Sequence, residues 1–247
     1  SFKEPMSIDK AERTEREILV LNAVKHENIV GFKGAFRSDN YLLVCLEYLD
    51  GKSLEDYSFL ETFGKPKPLD VVHVKVVLRD ILAALSYLHS ANIIHRDVKP
   101  SNIVLLRNGQ QAKLIDFGLC SAPKEGANRA RESRRCGTPS FIAPEIIVRA
   151  VEYDGKVDIW SLGITIMSFF INPYPFNGCK TTAKSDSYSA FVEKLAVANG
   201  PWCGNFLVDR AFIPFLTRSV VWNASDRADS EECLRLVNLS FSNSLQS

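Results

Sequence analysis

Excess charge is the first thing missing from this 247-residue sequence: 30 basic residues face 29 acidic ones, for a formal net charge of +1. That balance leaves no electrostatic footprint for nucleic acid or a membrane surface, so neither is expected as a partner. Long apolar runs are missing too. No stretch approaches the ~18 residues of a spanning helix, and the opening SFKEPMSIDK lacks the apolar region of a signal peptide. Six cysteines occur, at 45, 120, 136, 179, 203 and 233, and none belongs to a C-x-x-C pair. Scattered in this way they read as free thiols of a reducing compartment, which predicts a cytoplasmic or nuclear location. In that setting the sequons at Asn223 and Asn238 are chance matches. His26, His73 and His89 show no metal-ligand spacing, and the chain has no internal repeat or low-complexity tract.

What is there begins with a core. Hydrophobic residues make up 46% of the chain, enough for one large domain or two small ones. Residues 9–25 read as a helix whose apolar face carries Ile18, Leu21 and Val24, with Leu19 beside them. NIVGFKGAF and YLLVCLEYL read as short strands joined by the turn RSDN. DGKSLED reads as a linker and FGKPKPLD as a second break, with PLD as a helix start. VVHVKVVLRDILAALSYLHSAN follows, placing Val74, Val77, Leu78, Ile81, Leu85 and Leu88 on one stripe. NIVLL and AKLIDF form a hairpin around RNGQQ. Residues 119–140 are polar and aperiodic and read as a loop. KVDIWSLGITIMSFF is apolar nearly all round and reads as a buried helix, and residues 209–222 and 226–239 are helical stretches. A little sheet followed by many helices predicts the α+β class with a mostly helical second half.

The chemistry gathers at residues 95–102, HRDVKPSN, a polar cluster between the long helix and the hairpin. Such loops, held rigidly at both ends, commonly carry catalytic groups. The hairpin leads on to a second carboxylate, so Asp97, Asn102 and Asp116 are expected close together. Hard oxygen donors with an open side suit Mg²⁺, which completes its shell with water and substrate phosphates. Lys99 adds positive charge where a transferring phosphoryl group would need it.

HRDVKPSN and DFG, then GTPSFIAPE and DIWSLG, resemble the protein kinase family, in that family's order. The likeness runs from about residue 1 to about residue 240. It implies a two-lobed fold, with 1–49 as part of the small lobe, 50–240 as the large lobe and 241–247 as a tail. ATP and Mg²⁺ are the implied cofactors and a protein the implied substrate. Asp97 would take the substrate hydroxyl proton, Lys99 would neutralise the γ-phosphate, and Asn102 and Asp116 would hold the metal. Lys99 and Thr138 correspond to the serine/threonine form. Glu17 would pair with a strand-3 lysine. Leu46 is the gatekeeper, Glu47 to Leu49 the hinge for adenine, and Val104 the floor beneath it. Leu21, Phe32, His95 and Phe117 would stack between the lobes, with His95 a packed side chain and not a base. Asp158 would anchor the catalytic loop, and Glu145 and Arg227 would form a buried ion pair. HRDVKPSN is similar to the loop of the dual-specificity MAP-kinase kinases, and the segment after the hinge looks like the T-cell-originated (PDZ-binding) kinase branch.

The family's glycine-rich loop and strand-3 lysine are not visible, and Lys3 stands too close to Glu17 to serve. The lysine is therefore expected upstream of Ser1, and the chain as given is expected to be a fragment that binds ATP poorly. A pseudokinase scaffold is the rival reading. A small-molecule phosphotransferase is disfavoured by the activation segment and the A-P-E platform. Regulation is expected from Arg96, beside Asp97. The segment NRARESRRCGTP sets Arg129, Arg131, Arg134 and Arg135 against Glu132, and so should be repelled by Arg96 until a phosphate joins them. Ser133 is the expected acceptor, which implies an upstream activating kinase.

Overall fold

Antiparallel pairing organises the first part of the chain and helix packing the rest. The computed structural model describes residues 8–38, 41–59, 61–62, 65–66, 69–121, 136–147, 152–170 and 209–243. Helix α1, Ile8–Ala23, buries Val20 and Leu21, followed by Val24 just past its end. Glu17 lies on this same i, i+3, i+4, i+7 stripe. Leu19 does not, and is 70% exposed, contrary to the sequence expectation. Strands β1 (Phe32–Arg37) and β2 (Leu42–Leu46) form an antiparallel pair.

The expected linker DGKSLED is instead a strand and a helix. Strand β3, Gly51–Ser53, runs antiparallel to β6, Ile103–Leu106. Gly51 is needed there, because a Cβ would lie 2.3 Å from the Leu105 carbonyl oxygen. Helix α2, Leu54–Phe59, starts with a reciprocal cap: Ser53 N–H donates to Asp56 Oδ2 at 3.1 Å, and Asp56 N–H to Ser53 Oγ at 3.2 Å. A small pair, β4 (Glu61–Thr62) and β5 (Lys65–Pro66), follows.

Helix α3, Val71–Ser90, is capped as expected by Asp70, which accepts the Val72 N–H at 3.0 Å. All six residues of its predicted stripe are buried. The helix stops at Asn92, whose φ of 59° is left-handed, while Ile93 N–H bonds back to Leu88 O at 2.9 Å. Strand β7, Ala112–Leu114, completes the hairpin with β6, pairing Val104 with Lys113. On its other edge β7 bonds the segment after α1, through Val30 N–H to Leu114 O (3.0 Å) and Leu114 N–H to Asn28 O (2.8 Å).

At the end of the expected loop 119–140, Pro139 opens a 3₁₀ turn that ends at Phe141. A short helix α4, Pro144–Ile147, follows. Helix α5, Lys156–Met167, is buried on every side from Val157 to Met167, as its unbroken apolar character predicts. Helices α6 (Ile213–Ser219) and α7 (Ser230–Asn243) close the described chain, and α7 runs past the expected boundary at 240. Helix α3 packs against α5, α7 and β7, so the polar segment 93–102 leaves directly from the core. The described architecture is α+β, with three small sheets in the first half of the chain and mostly helices after them.

Candidate active site

A buried carboxylate sets the loop after α3. Asp158, in the first turn of α5 and fully buried, accepts the backbone N–H of His95 on Oδ2 (2.9 Å) and of Arg96 on Oδ1 (2.7 Å). Oδ2 also accepts His89 Nε2–H at 2.9 Å, which leaves His89 Nδ1 to take the Ser230 hydroxyl at 3.0 Å. Burial pushes the Asp158 carboxyl up, but the His89 bond, the nearby imidazoles and the Arg96 N–H outweigh it and hold the group below its ordinary value. The pinned segment is bent: Arg96 has φ 69°, left-handed and costly for a residue with a Cβ. That bend presents Asp97.

Asp97 is 7% exposed, yet four donors converge on its carboxylate. Oδ1 accepts the Thr138 hydroxyl (2.7 Å) and the Thr138 N–H (3.1 Å). Oδ2 accepts Lys99 Nζ (2.8 Å) and Asn102 Nδ2 (2.9 Å). Lys99 also donates to Thr138 Oγ1 at 2.7 Å, closing a ring of three side chains. Burial raises the Asp97 carboxyl, but the Lys99 and Thr138 bonds more than reverse this, so it sits below its ordinary value and is a carboxylate at neutral pH. A carboxylate can orient a hydroxyl within hydrogen-bond reach, which is the geometry general-base catalysis requires.

His95 is fully buried with its ring edge-on to Phe117, centroids 5.0 Å apart. Its Nδ1 accepts Asp97 N–H (3.3 Å) and its Nε2–H donates to Ile115 O (3.2 Å). Burial lowers its pKa, so the ring is neutral packing, as expected. Leu21 and Phe117 lie in the core, and Phe32 packs against it.

Asn102 donates Nδ2 to both the carboxylate and the carbonyl of Asp97, so Oδ1 is the atom a cation would take. The backbone bond from Ile115 N–H to Asn102 O (2.9 Å) brings the next residue, Asp116, alongside. Asp116 is exposed, at left-handed φ 62°, and accepts Gly118 N–H at 3.3 Å. Two hard oxygen donors, one exposed, fit a Mg²⁺ ion that takes the rest of its shell from phosphate and water. Among the described residues no cluster of three or more His, Cys, Asp or Glu forms a complete metal cage. Glu17 faces the same region. Burial and then the Asp116 charge raise its carboxyl, against a bond from the Phe117 backbone. No lysine pairs with Glu17 among the described residues.

In the segment expected to be the hinge, a side chain is engaged as well as the backbone. Leu46 is 37% exposed, and Val104, on β6, is nearly buried. The Glu47 side chain, unremarked in the sequence, accepts Gly31 N–H at 2.8 Å and Lys113 Nζ at 2.6 Å. Leu49 packs on the core. Lys113 was missed, although its place between buried Ala112 and Leu114 in β7 turns it to the opposite face.

Arg96 carries its guanidinium to the carbonyls of Leu119 (Nε, 2.6 Å) and Cys120 (Nη2, 2.9 Å). Ser133 and Arg129 to Arg135 lie outside the described residues. Below the site, Arg227 and Glu145 meet in a two-pronged pair, Nη1–Oε1 2.6 Å and Nη2–Oε2 2.9 Å, with the guanidinium stacked 5.2 Å over Trp160. The described cysteines 45, 120, 136 and 233 are free thiols. Among the described residues no helix is long and apolar enough to cross a membrane.

A family model described as a protein kinase domain matches residues 2–237. The chain belongs to the protein kinase family. Curated relatives of this kinase chain include the serine/threonine-protein kinase KIC1 of Saccharomyces cerevisiae, 39% identical over 158 residues, covering 64% of this chain and 14% of that protein. Serine/threonine-protein kinase ste20 of Emericella nidulans is 38% identical over 160 residues, 65% of this chain and 18% of that one. Serine/threonine-protein kinase pakG of Dictyostelium discoideum is 40% identical over 158 residues, 64% and 13% of the two chains. The matched part of this kinase thus spans under a fifth of each of these relatives. Neither of the two branches suggested by the sequence is named among them.

Proposed function

We propose that the chain is the catalytic part of a protein serine/threonine kinase, moving the γ-phosphoryl group of ATP to a protein hydroxyl. The carrying observation is the Asp97 carboxylate, held by Lys99, Asn102 and Thr138 at 2.7–3.1 Å on a loop fastened by Asp158. Asp97 orients the attacking hydroxyl, and Lys99 steadies the charge on the phosphoryl oxygens. Asn102 and Asp116 would hold Mg²⁺, which supplies charge neutralisation at the phosphates when bound. The backbone of Glu47 to Leu49 takes the adenine edge, with Leu46 behind it and Val104 beneath. Glu17 takes a lysine. Thr138, between Asp97 and Lys99, lies where the acceptor side chain enters, and the serine/threonine choice is supported by the relatives' names. Residues 1–49 form the small-lobe part and 50–240 the large lobe. The substrate is an intracellular protein. Arg96 and Ser133 serve activation by an upstream kinase.

The rival is a scaffold without transfer, favoured by the Glu17 carboxyl, which burial and the Asp116 charge raise. Mg²⁺-dependent transfer of labelled phosphate from ATP to a peptide library, in the full-length protein, separates the two. Asp97→Asn should lower kcat by about 10²- to 10⁴-fold while ATP still binds, and Asp116→Asn should abolish the Mg²⁺-dependent part. Product phosphate should reside on serine or threonine. Near-wild-type turnover in either variant, or a product dominated by phosphotyrosine, refutes the assignment.

A further inference from the structure

Glu47 is fastened on three sides. Its backbone N–H donates to Gly31 O at 2.7 Å, and its carboxylate accepts Gly31 N–H at 2.8 Å and Lys113 Nζ at 2.6 Å. The ion pair is mostly out of water, with the Lys113 side chain 13% exposed and that of Glu47 24%. Burial pushes the Glu47 carboxyl up, but the Lys113 and Gly31 bonds and the Lys113 and Lys33 charges win, so it stays ionised. Alongside the pair lies a cavity of about 750 Å³, lined also by Lys25, His26 and Lys33. Packing does not fix the hinge on that side; the polar contacts must.

The other end of the pair is rigid. Lys113 is the middle residue of β7, hydrogen-bonded to β6 on one edge and tied at Ala112 and Leu114 to the segment 28–30 on the other. Its register partner on β6 is Val104. One cross-strand pair of the β6–β7 hairpin therefore carries both the floor proposed to lie under the adenine and the cation that grips the hinge.

We propose that Lys113 is a positioning residue for the nucleotide: through Glu47 it sets the distance between the hinge backbone and the Val104 floor. This rests on the hinge reading given above. Two backbone hydrogen bonds to an adenine edge demand placement to within a few tenths of an ångström. An ion pair spanning 66 positions of sequence, from Glu47 to Lys113, supplies that restraint without touching the ligand.

The test uses the full-length protein, ATP and GTP with Mg²⁺, and four forms: wild type, Lys113→Met, Lys113→Arg and the double variant Lys113→Met with Glu47→Gln. Lys113→Met keeps the apolar stem and removes the charge. Its KM for ATP should rise about five- to tenfold, as expected for a charged hydrogen bond lost from a mostly buried place. Its kcat at saturating ATP should stay within about twofold, and its preference for ATP over GTP should shrink, since only the base-reading contacts are loosened. Lys113→Arg should stay within about twofold of wild type. The double variant should be no worse than Lys113→Met alone, because the two residues act as one unit. A merely structural pair would lower the active fraction, so kcat would fall with KM and base preference unchanged, and that result overturns the proposal. So does an increase of kcat with KM unchanged, which would make the pair a restraint on motion. Failure of wild type to bind ATP at all would overturn the hinge reading together with this proposal, and differs visibly from an unchanged KM in Lys113→Met.

Discussion

Replacing Asp158 by asparagine tests whether the catalytic loop is shaped by one buried carboxylate. The aspartate makes three bonds, Arg96 N–H on Oδ1 and His95 N–H and His89 Nε2–H on Oδ2, at 2.7–2.9 Å and with no exposure. Asparagine offers one acceptor oxygen. In the better orientation it keeps the two Oδ2 partners and points an NH₂ at Arg96 N–H, which is left buried without an acceptor. That loses one charge-assisted bond, ~1.5–3 kcal/mol, and turns two others into weaker neutral ones. Removing a buried charge and letting Arg96 relax from φ 69° return a part. The expected net loss is about 3 kcal/mol, a large share of a typical margin of ~5–15 kcal/mol. Urea unfolding followed by tryptophan fluorescence measures it, since Trp160 lies on the same helix. Because Asp97 follows Arg96 directly, kcat should fall further than the folded fraction does. The pH dependence has a definite sign. The Asp158 carboxyl lies below its ordinary value in the folded chain, so its stabilisation is complete above the unfolded pKa of about 3.9 and is lost as pH falls through the folded one. The gap between wild type and variant should be flat from about pH 8 to pH 5 and narrow only below about pH 4. A variant within about 1 kcal/mol of wild type with unchanged kcat would refute the role given to this residue.

Arg227→Met should destabilise by about 3–5 kcal/mol, because it leaves the Glu145 carboxylate half of a buried two-pronged pair; adding Glu145→Leu should recover a part, and equal losses in the single and double variants would argue against the pair. Gly137→Ala should lower kcat at least about tenfold with a smaller effect on melting, since Gly137 has φ 113° and a Cβ would sit 2.8 Å from Arg96 O, which displaces Thr138 from Asp97; steady-state kinetics with a peptide substrate checks it. Ser133→Ala and phosphatase treatment of wild type should lower activity together, and adding Arg96→Ala to the alanine variant should cost little more. Full activity in both conditions would remove Ser133 from the switch.

The parts of the fold that were legible in the sequence are those written in one dominant period. Val74, Val77, Leu78, Ile81, Leu85 and Leu88 repeat on a helical stripe, and all six are buried. KVDIWSLGITIM is apolar on all sides and becomes the central helix. Leu19 shows the limit: in a short amphipathic helix one apolar residue next to the stripe falls about 100° away, and packing, not composition, decides which of Leu19 and Val20 goes inside. The linker reading of DGKSLED failed for a different reason. Turn-forming residues also open helices, and Ser53 with Asp56 three positions on is a helix-start signature.

The candidate site divides along the same line. Asp97, Lys99 and Asn102 are local, within one short loop, and their meeting follows from the chain itself. Thr138 reaches Asp97 from 41 positions away, and no periodicity foretells that contact; the resemblance named Thr138 only as part of the serine/threonine form. Glu47 and Lys113 were each visible as a charge, but Glu47 lies just past the end of β2 and Lys113 within β7, two strands of different sheets. Their pairing depends on how β7 is tied to residues 28–30 and how Gly31 receives the hinge. The polar loop set between two apolar segments has the same kind of cause. Its backbone donors at His95 and Arg96 would be unsatisfied between a helix end and a strand, and the acceptor that answers them, Asp158, arrives 62 positions after Arg96 on a helix buried all round. A charge placed in so apolar a helix is tolerated because three donors wait for it, and the same bonds aim Asp97.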